Sequence, residues 1–80
     1  MVNRIEGKKT IGIKQTLKAV KSNKAETVYV SKDADIKLTG PLIELATQNS
    51  LEIIYVDTMK KLGNLCGIDV GASAAAVLKD

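Results

Sequence analysis

The sequence predicts an α/β fold in which three helices cover the two faces of a four-stranded sheet. Short runs of β-branched residues alternate with helical apolar patterns of about ten residues, which is typical of this fold class. The apolar residues are nearly all aliphatic: eight Leu, eight Ile, seven Val and eight Ala stand against two Tyr and no Phe or Trp. With 80 residues in total, we expect one domain over residues 1–80, built as a three-layer α–β–α sandwich.

The spacing of apolar residues assigns each segment to a strand or a helix. Val2 and Ile5 allow one marginal helical turn, and Gly40-Pro41 is expected to open the second helix, because proline needs no N–H in a first turn. Asn49-Ser50 should end that helix, and Asp57-Thr58 should cap the third. The predicted strands are 9–11, 27–30, 51–56 and 72–78, and the predicted helices are 13–22, 41–48 and 59–66.

The first helix carries two different stripes. Ile13, Leu17 and Val20 recur at helical spacing and predict one buried face. Lysines at positions 14, 18 and 21 repeat this spacing one residue later, about 100° around the helix. Through Lys24 the chain has seven basic residues and one acid, a net of +6, whereas residues 25–80 sum to −3. This asymmetry favours an anionic partner, although a solvated lysine face would have the same pattern.

The residue types present argue against an enzyme or a metal protein. The chain has no histidine, which removes the usual general base, the usual activator of a nucleophile and most zinc sites. Asp33 and Asp35 are interpreted as turn formers, since no third carboxylate stands near them. Cys66, the single cysteine, is expected to be inert and fits a reducing cytoplasm. No signal-peptide pattern or apolar run of membrane-spanning length occurs, and we expect no cofactor, metal or small-molecule substrate.

Two segments carry candidate binding chemistry. Gly12 lets another backbone approach, and the helix that follows presents free N–H groups that suit phosphate. Lys14 and Lys18 add charge there, and the Gln15 amide can bind a base edge. Ile68 and Val70 bracket Asp69 in a short loop, where they either pack against an unstacked base or are buried in the core.

Taken together, four segments resemble one known family: residues 12–20, 30–35, 61–63 and 66–72. The chain resembles the kink-turn RNA-binding ribosomal proteins of the L7Ae type, and within them the short bacterial YbxF-like branch, over residues 8–78. The resemblance implies an α–β–α sandwich around a four-stranded mixed sheet. It also implies binding to kink-turns, which are internal loops where a sharp backbone bend is flanked by sheared G·A pairs.

The resemblance further implies which residues contact RNA. In the family, one RNA-binding segment opens the second helix, which corresponds to the first helix predicted over 13–22 in this chain. The corresponding residues here are Gly12, Lys14, Gln15 and Lys18. The hydrophobic loop before the last strand corresponds to Ile68, Asp69, Val70 and Gly71, and Lys32 and Lys61 lie where flanking phosphates are expected. Archaeal and eukaryotic relatives usually have Asn-Glu where this chain has Lys14-Gln15. Since lysine can only donate, base readout should be weaker here and phosphate contact stronger.

The function predicted from the sequence is therefore a monomeric, cytoplasmic, ribosomal or ribosome-associated protein that binds kink-turns. Ribosomal RNA, a riboswitch or another noncoding RNA would each present such a bend. The alternative is a structural module that docks on protein through the aliphatic loop and binds no RNA. A small hydrolase is disfavoured, because neither a nucleophile–base pair nor a phosphate-binding glycine motif is present.

Overall fold

A computed structural model of the protein describes Ile5 and residues 7–79. The turn predicted at Val2 and Ile5 lies outside the described residues, apart from Ile5 itself. The strands and helices follow in the order β1 (Lys9–Ile11), α1 (Ile13–Lys21), β2 (Ala25–Ser31), α2 (Ile36–Gln48), β3 (Glu52–Val56), α3 (Met59–Cys66) and β4 (Ala74–Leu78).

The four strands form one mixed sheet in the order β1-β4-β2-β3. β4 is antiparallel to both of its neighbours, whereas β2 and β3 are parallel. The carboxyl ends of β1, β2 and β3 and the start of β4 therefore lie at the same end of the sheet. We call this end the loop edge, and it comprises residues 12–15, 31–36, 57–59 and 68–73. The predicted α/β class with a four-stranded mixed sheet is confirmed.

Apolar residues are buried on both faces of the sheet, which produces the three layers. α1 and α2 pack on one face, and their cluster includes Val28, Val30 and Leu42. α3 packs on the other face through Leu62 and Cys66. The central strand β4 contributes alanines to both clusters, and residues 74–76 are fully buried. Such small side chains let helices approach closely from both sides.

The start of α2 differs from the prediction. The helix begins at Ile36, with Asp35 as its N-cap, and passes through Gly40 and Pro41. The Asp35 carboxylate accepts a hydrogen bond from the Lys37 N–H at 2.9 Å, which is a stronger start signal than a proline. A residue before proline is normally excluded from the helical region by its Cβ, and glycine at position 40 removes that obstacle.

The two tyrosines lie in strands β2 and β3 of the sheet. Tyr29 is half-buried and packs against the cluster beneath α3. Tyr55 belongs to the edge strand β3 and is 50% exposed. Of the two, only Tyr55 has a side chain open to solvent.

Candidate nucleic-acid interface

Backbone hydrogen bonds hold the candidate segments together at the loop edge. The Gly12 N–H donates to the Ala74 carbonyl at 2.8 Å, which ties the start of α1 to the start of β4. The Ser31 N–H donates to the Ser73 carbonyl at 3.0 Å, so the end of β2 lies beside the same segment. The loop 68–71 and the start of α1 therefore lie at the same end of the sheet, although more than fifty residues separate them in sequence.

The start of α1 presents polar side chains on a helix end that no side chain caps. Gly12 occupies the N-cap position with φ 103° and ψ 158°, a conformation that strains any residue with a Cβ. Because glycine offers no capping oxygen, the N–H groups of the first turn stay open to an external acceptor. Lys14 and Gln15 are exposed in this first turn, and Lys18 is exposed one turn later.

The loop 68–71 divides its two aliphatic side chains between core and solvent. Ile68 is half-buried and packs against the cluster beneath α3. Val70 is 69% exposed, and its neighbours Asp69 and Gly71 are exposed as well. Burial, one of the two expectations for this loop, therefore holds in part for Ile68 and not for Val70, whose side chain is open to solvent.

Close packing against α3 sets the position of this loop. Gly67 ends α3 in the left-handed conformation with φ 80°. The Ile68 N–H then donates to the Gly63 carbonyl at 3.0 Å, and the Ala72 N–H donates to the Met59 carbonyl at 3.0 Å. A Cβ at Gly63 would collide with the Val70 carbonyl. The loop is therefore held at both ends and pressed against the helix in between.

Lys32 and Lys61 lie beside the candidate interface, on two other segments. Lys32 follows β2 and forms an ion pair with Asp57 at 3.5 Å, with both side chains largely exposed. A pair this exposed contributes little stability, so a phosphate could replace the carboxylate at small cost. Lys61 is exposed in the first turn of α3, and its backbone N–H donates to the Thr58 hydroxyl at 3.0 Å.

Asp33 and Asp35 both act as helix caps at the loop edge. Asp35 caps α2, and the Asp33 carboxylate accepts from the Met59 N–H of α3 at 2.8 Å. The sequence identified them as turn formers, and their capping of two helices agrees with that interpretation. Across the described ranges, no three His, Cys, Asp or Glu side chains come together as a group that could hold a metal ion.

Sequence reasoning missed two features of this edge. Ser31 is buried, and its hydroxyl donates to the Ala72 carbonyl at 2.6 Å. Ile36 and Leu38, in the first turn of α2, are 70% and 51% exposed. With Val70 and Tyr55, these are the large apolar side chains that the described part of the chain exposes most, and all four lie at or beside the loop edge. The sequence signal for these two residues was Asp35: read as an N-cap, it places Ile36 and Leu38 in the first turn of α2.

Two further observations concern the remaining candidates. Cys66, the last residue of α3, is a free cysteine that is buried between this helix and the sheet. Burial raises the pKa of its thiol, an effect that the nearby Lys9 charge partly offsets. The lack of reactivity expected for this thiol stays a prediction. Among the helices that the structure describes, none combines the length and the apolar character needed to cross a membrane.

Comparison with known proteins agrees with this architecture. A profile of the "Ribosomal protein L7Ae/L30e/S12e/Gadd45 family" matches residues 2–80. The chain is 45% identical over 76 residues to the RNA-binding protein TTE2299 of Caldanaerobacter subterraneus, covering 95% of this chain and 93% of that protein. It is 42% identical over 73 residues to the RNA-binding protein YbxF of Geobacillus stearothermophilus, covering 91% and 89%.

A solved structure shows the same fold. The 15.5kD RNA binding protein of Giardia lamblia superposes with a TM-score of 0.84 at 26% sequence identity, over 90% of this chain. This chain spans 61% of the length of that protein. The profile match over nearly all residues, the two bacterial relatives and the shared sandwich lead to one conclusion. The chain belongs to the ribosomal protein L7Ae/L30e/S12e/Gadd45 family and, within it, to the YbxF-like bacterial branch.

Proposed function

We propose that this protein is a non-catalytic RNA-binding protein that recognises kink-turns. The observation that carries the proposal is the location of two unlike surfaces at the same end of the sheet. The uncapped start of α1 brings exposed Lys14 and Gln15, and the loop 68–71 brings the exposed Val70. The RNA-binding names of the bacterial relatives support the same assignment.

The two surfaces suit a bent RNA better than a straight duplex. A-form RNA hides its base edges in a deep, narrow major groove that side chains cannot enter. A kink opens that groove, so that the Gln15 amide can reach a base edge and Val70 can pack against a sugar or an unstacked base. Lys14, Lys18, Lys32 and Lys61 then neutralise phosphates on either side. Binding the bent form preferentially would shift an existing equilibrium of the RNA towards it.

The proposal extends to the setting of the protein. We propose that it acts in the cytoplasm as a monomer, on ribosomal RNA or another structured noncoding RNA. The ribosomal proteins that define the family support this setting. No catalytic role is assigned, because the hydroxyl and carboxylates of the loop edge are used in structural hydrogen bonds: the Ser31 hydroxyl donates to the Ala72 carbonyl, and Asp33 and Asp35 cap helices.

The decisive experiment compares two RNA hairpins that differ only in their G·A pairs. One hairpin carries an intact kink-turn, and in the other the G·A pairs are replaced by Watson–Crick pairs. We expect the intact hairpin to bind more tightly, with a log–log slope of affinity against salt of roughly −2 to −4 for three or four neutralised phosphates. Equal affinities for the two hairpins would overturn kink-turn recognition.

Two variants separate base readout from phosphate binding. Gln15→Ala should reduce the difference between the two hairpins, because it removes the group that reads a base edge. Lys18→Ala should weaken binding to both hairpins and reduce the salt slope by about 1. Lys8→Ala is the matched control: Lys8 is exposed, and its carbonyl accepts from Leu78 at the opposite end of the sheet. We expect it to preserve the difference between the hairpins.

The exposed aliphatic side chains favour one other function. Ile36, Leu38 and Val70 could dock on a protein instead of a nucleic acid. Binding of that kind would depend little on salt and would require no RNA. The hairpin titration separates the two functions, because a protein-docking module would bind neither hairpin.

A further inference from the structure

The exposed surface of α1 contains two adjoining hollows that lead away from the loop edge. The larger, of about 440 Å³, is lined by Lys14, Lys18 and Lys21 among others. The smaller, of about 170 Å³, includes Gln15, Lys18 and Lys24. Lys18 and Ser22 line both hollows. We call the continuous surface formed by Lys14, Gln15, Lys18, Lys21, Ser22 and Lys24 the lysine trough.

The lysine trough runs along β4 for the full length of that strand. At one end of α1 the Gly12 N–H donates to Ala74, the first residue of β4. At the other end the Lys79 N–H, just after β4, donates to the Lys24 carbonyl at 2.8 Å. α1 thus runs alongside β4 from the loop edge to the opposite end. Its nine residues correspond to roughly 13 Å at about 1.5 Å per residue.

Among the described residues, no acidic side chain forms an ion pair with a lysine of the trough. No acidic side chain lines either hollow, and α1 itself contains no acid. Glu44 of α2 lines a neighbouring groove together with Lys21. These two side chains do not form an ion pair within 4 Å; the pair found among the described residues is Lys32–Asp57. The trough is therefore a cationic surface that begins at the proposed kink-binding residues and continues past them.

We propose that the lysine trough binds the phosphate backbone of a base-paired stem that flanks the kink, with Lys21 and Lys24 as further phosphate-binding residues. The inference rests on the proposed function, and it adds a footprint that is longer than the bent loop alone. The phosphates of one strand of a duplex follow one another every few ångströms along the axis, so a surface of this length faces several of them. Lysine side chains bind phosphates as point charges, so this binding does not depend on the base sequence of the stem.

The test varies the length of the RNA stems. The first hairpin carries a kink-turn with stems just long enough to form it, and in two further hairpins one stem or the other is extended by six base pairs. We expect one extended hairpin to bind about tenfold more tightly than the short one at 0.1 M salt. Lys21→Gln/Lys24→Gln should lose this gain and reduce the salt slope on that hairpin by roughly 2, while its binding to the short hairpin stays unchanged.

A second double variant controls for the loss of charge. Lys37→Gln/Lys60→Gln removes two exposed lysines from α2 and α3, neither of which lines the trough. It should keep the gain from the longer stem, and circular dichroism should show both variants folded. The inference is wrong if neither extension strengthens binding, if Lys21→Gln/Lys24→Gln keeps the gain, or if both double variants lose it. Failure of kink-turn recognition is a separate result, because it is read from G·A replacement in the short hairpin.

Discussion

At the scale of single residues, two glycines determine how closely the loop 68–71 approaches α3. Gly63 faces the Val70 carbonyl, and a Cβ there would lie 3.0 Å from the Val70 carbonyl carbon and 3.2 Å from the Gly71 Cα. Gly71 lies against Met59, where a Cβ would come within 3.2 Å of the Met59 Cβ. The exposed position of Val70 therefore depends on the absence of side chains at the helix–loop contact.

Gly63→Ala should displace the loop and weaken RNA binding. The obstacle is backbone, which cannot rotate away as a side chain can, so we expect a loss of about 1–3 kcal/mol in the free energy of unfolding. Asn64→Ala is the control, because Asn64 is exposed on the same helix and alanine favours helix there. Urea unfolding and hairpin affinity measure both effects. Unchanged stability and affinity in Gly63→Ala would contradict the packing described.

The buried thiol of Cys66 should make stability depend on pH in the alkaline range. Burial raises the pKa of this thiol, with Lys9 acting in the opposite direction, so the folded state holds the thiol proton more tightly than the unfolded state does. This contribution is complete below the thiol pKa of the unfolded chain, about 8.5, and is lost as the pH rises through the folded value.

The measurement compares the free energy of unfolding of the native protein and of Cys66→Ala at pH 7 and at pH 10. Lysines and tyrosines titrate in both proteins, so the difference between the two isolates the thiol. We expect the native protein to lose more stability than Cys66→Ala between these pH values. A difference that is the same at both pH values would show that the thiol does not contribute.

At the scale of elements, capping side chains determine where α2 and α3 begin. α2 begins at the Asp35 cap, and α3 has two acceptors, since Thr58 binds the Lys61 N–H and Asp33 binds the Met59 N–H. All three acceptors lie at or beside the loop edge. Because the first turn of α2 carries Ile36 and Leu38, the cap also determines which apolar side chains this edge exposes.

Asp35→Ala should lower the free energy of unfolding by about 1 kcal/mol, since it leaves the Lys37 N–H without its acceptor. Asp35→Asn should restore most of this loss, because asparagine is an equally good N-cap. Thermal or urea unfolding followed by circular dichroism gives both values. If the alanine and asparagine variants were equally stable, the carboxylate would not act as the cap.

At the scale of the whole molecule, the order of the strands brings segments that are distant in sequence together at the loop edge. β4 lies between β1 and β2, so the segment before β4 lies beside both the end of β1 and the end of β2. Ser31 stabilises this junction, with its hydroxyl on the Ala72 carbonyl and its N–H on the Ser73 carbonyl. The junction connects the loop 68–71 to the end of the sheet where α1 begins.

Ser31→Ala should destabilise the protein and weaken RNA binding together. It removes the donor from a hydrogen bond of 2.6 Å that is buried, and an unsatisfied buried carbonyl costs about 1–3 kcal/mol. Ser73→Ala is the matched control, because the Ser73 hydroxyl has only a weak contact of 3.7 Å with the Met59 sulfur. Urea unfolding measures the stability of both variants, and hairpin titration measures their RNA affinity. Equal values for Ser31→Ala and Ser73→Ala would contradict this role of Ser31.

The sequence by itself determined the class of fold, the identity of the seven elements and the resemblance to a family, because these depend on local periodicity and on short motifs. The stripe of Ile13, Leu17 and Val20 is one such signal. The interpretation of Gly40-Pro41 as a helix start was wrong, since Asp35 offered a stronger cap that local proline rules do not weigh.

Only the tertiary structure decided which side chain of the loop 68–71 faces solvent, that residues 12–15 lie at the same end of the sheet as this loop, and how far the lysine trough extends. Ile68 and Val70 have similar side chains, and their different exposure results from packing against α3. The bond from Gly12 to Ala74 joins residues far apart in the chain. Contacts of this kind depend on strand order and helix packing, and no local pattern of residues encodes them.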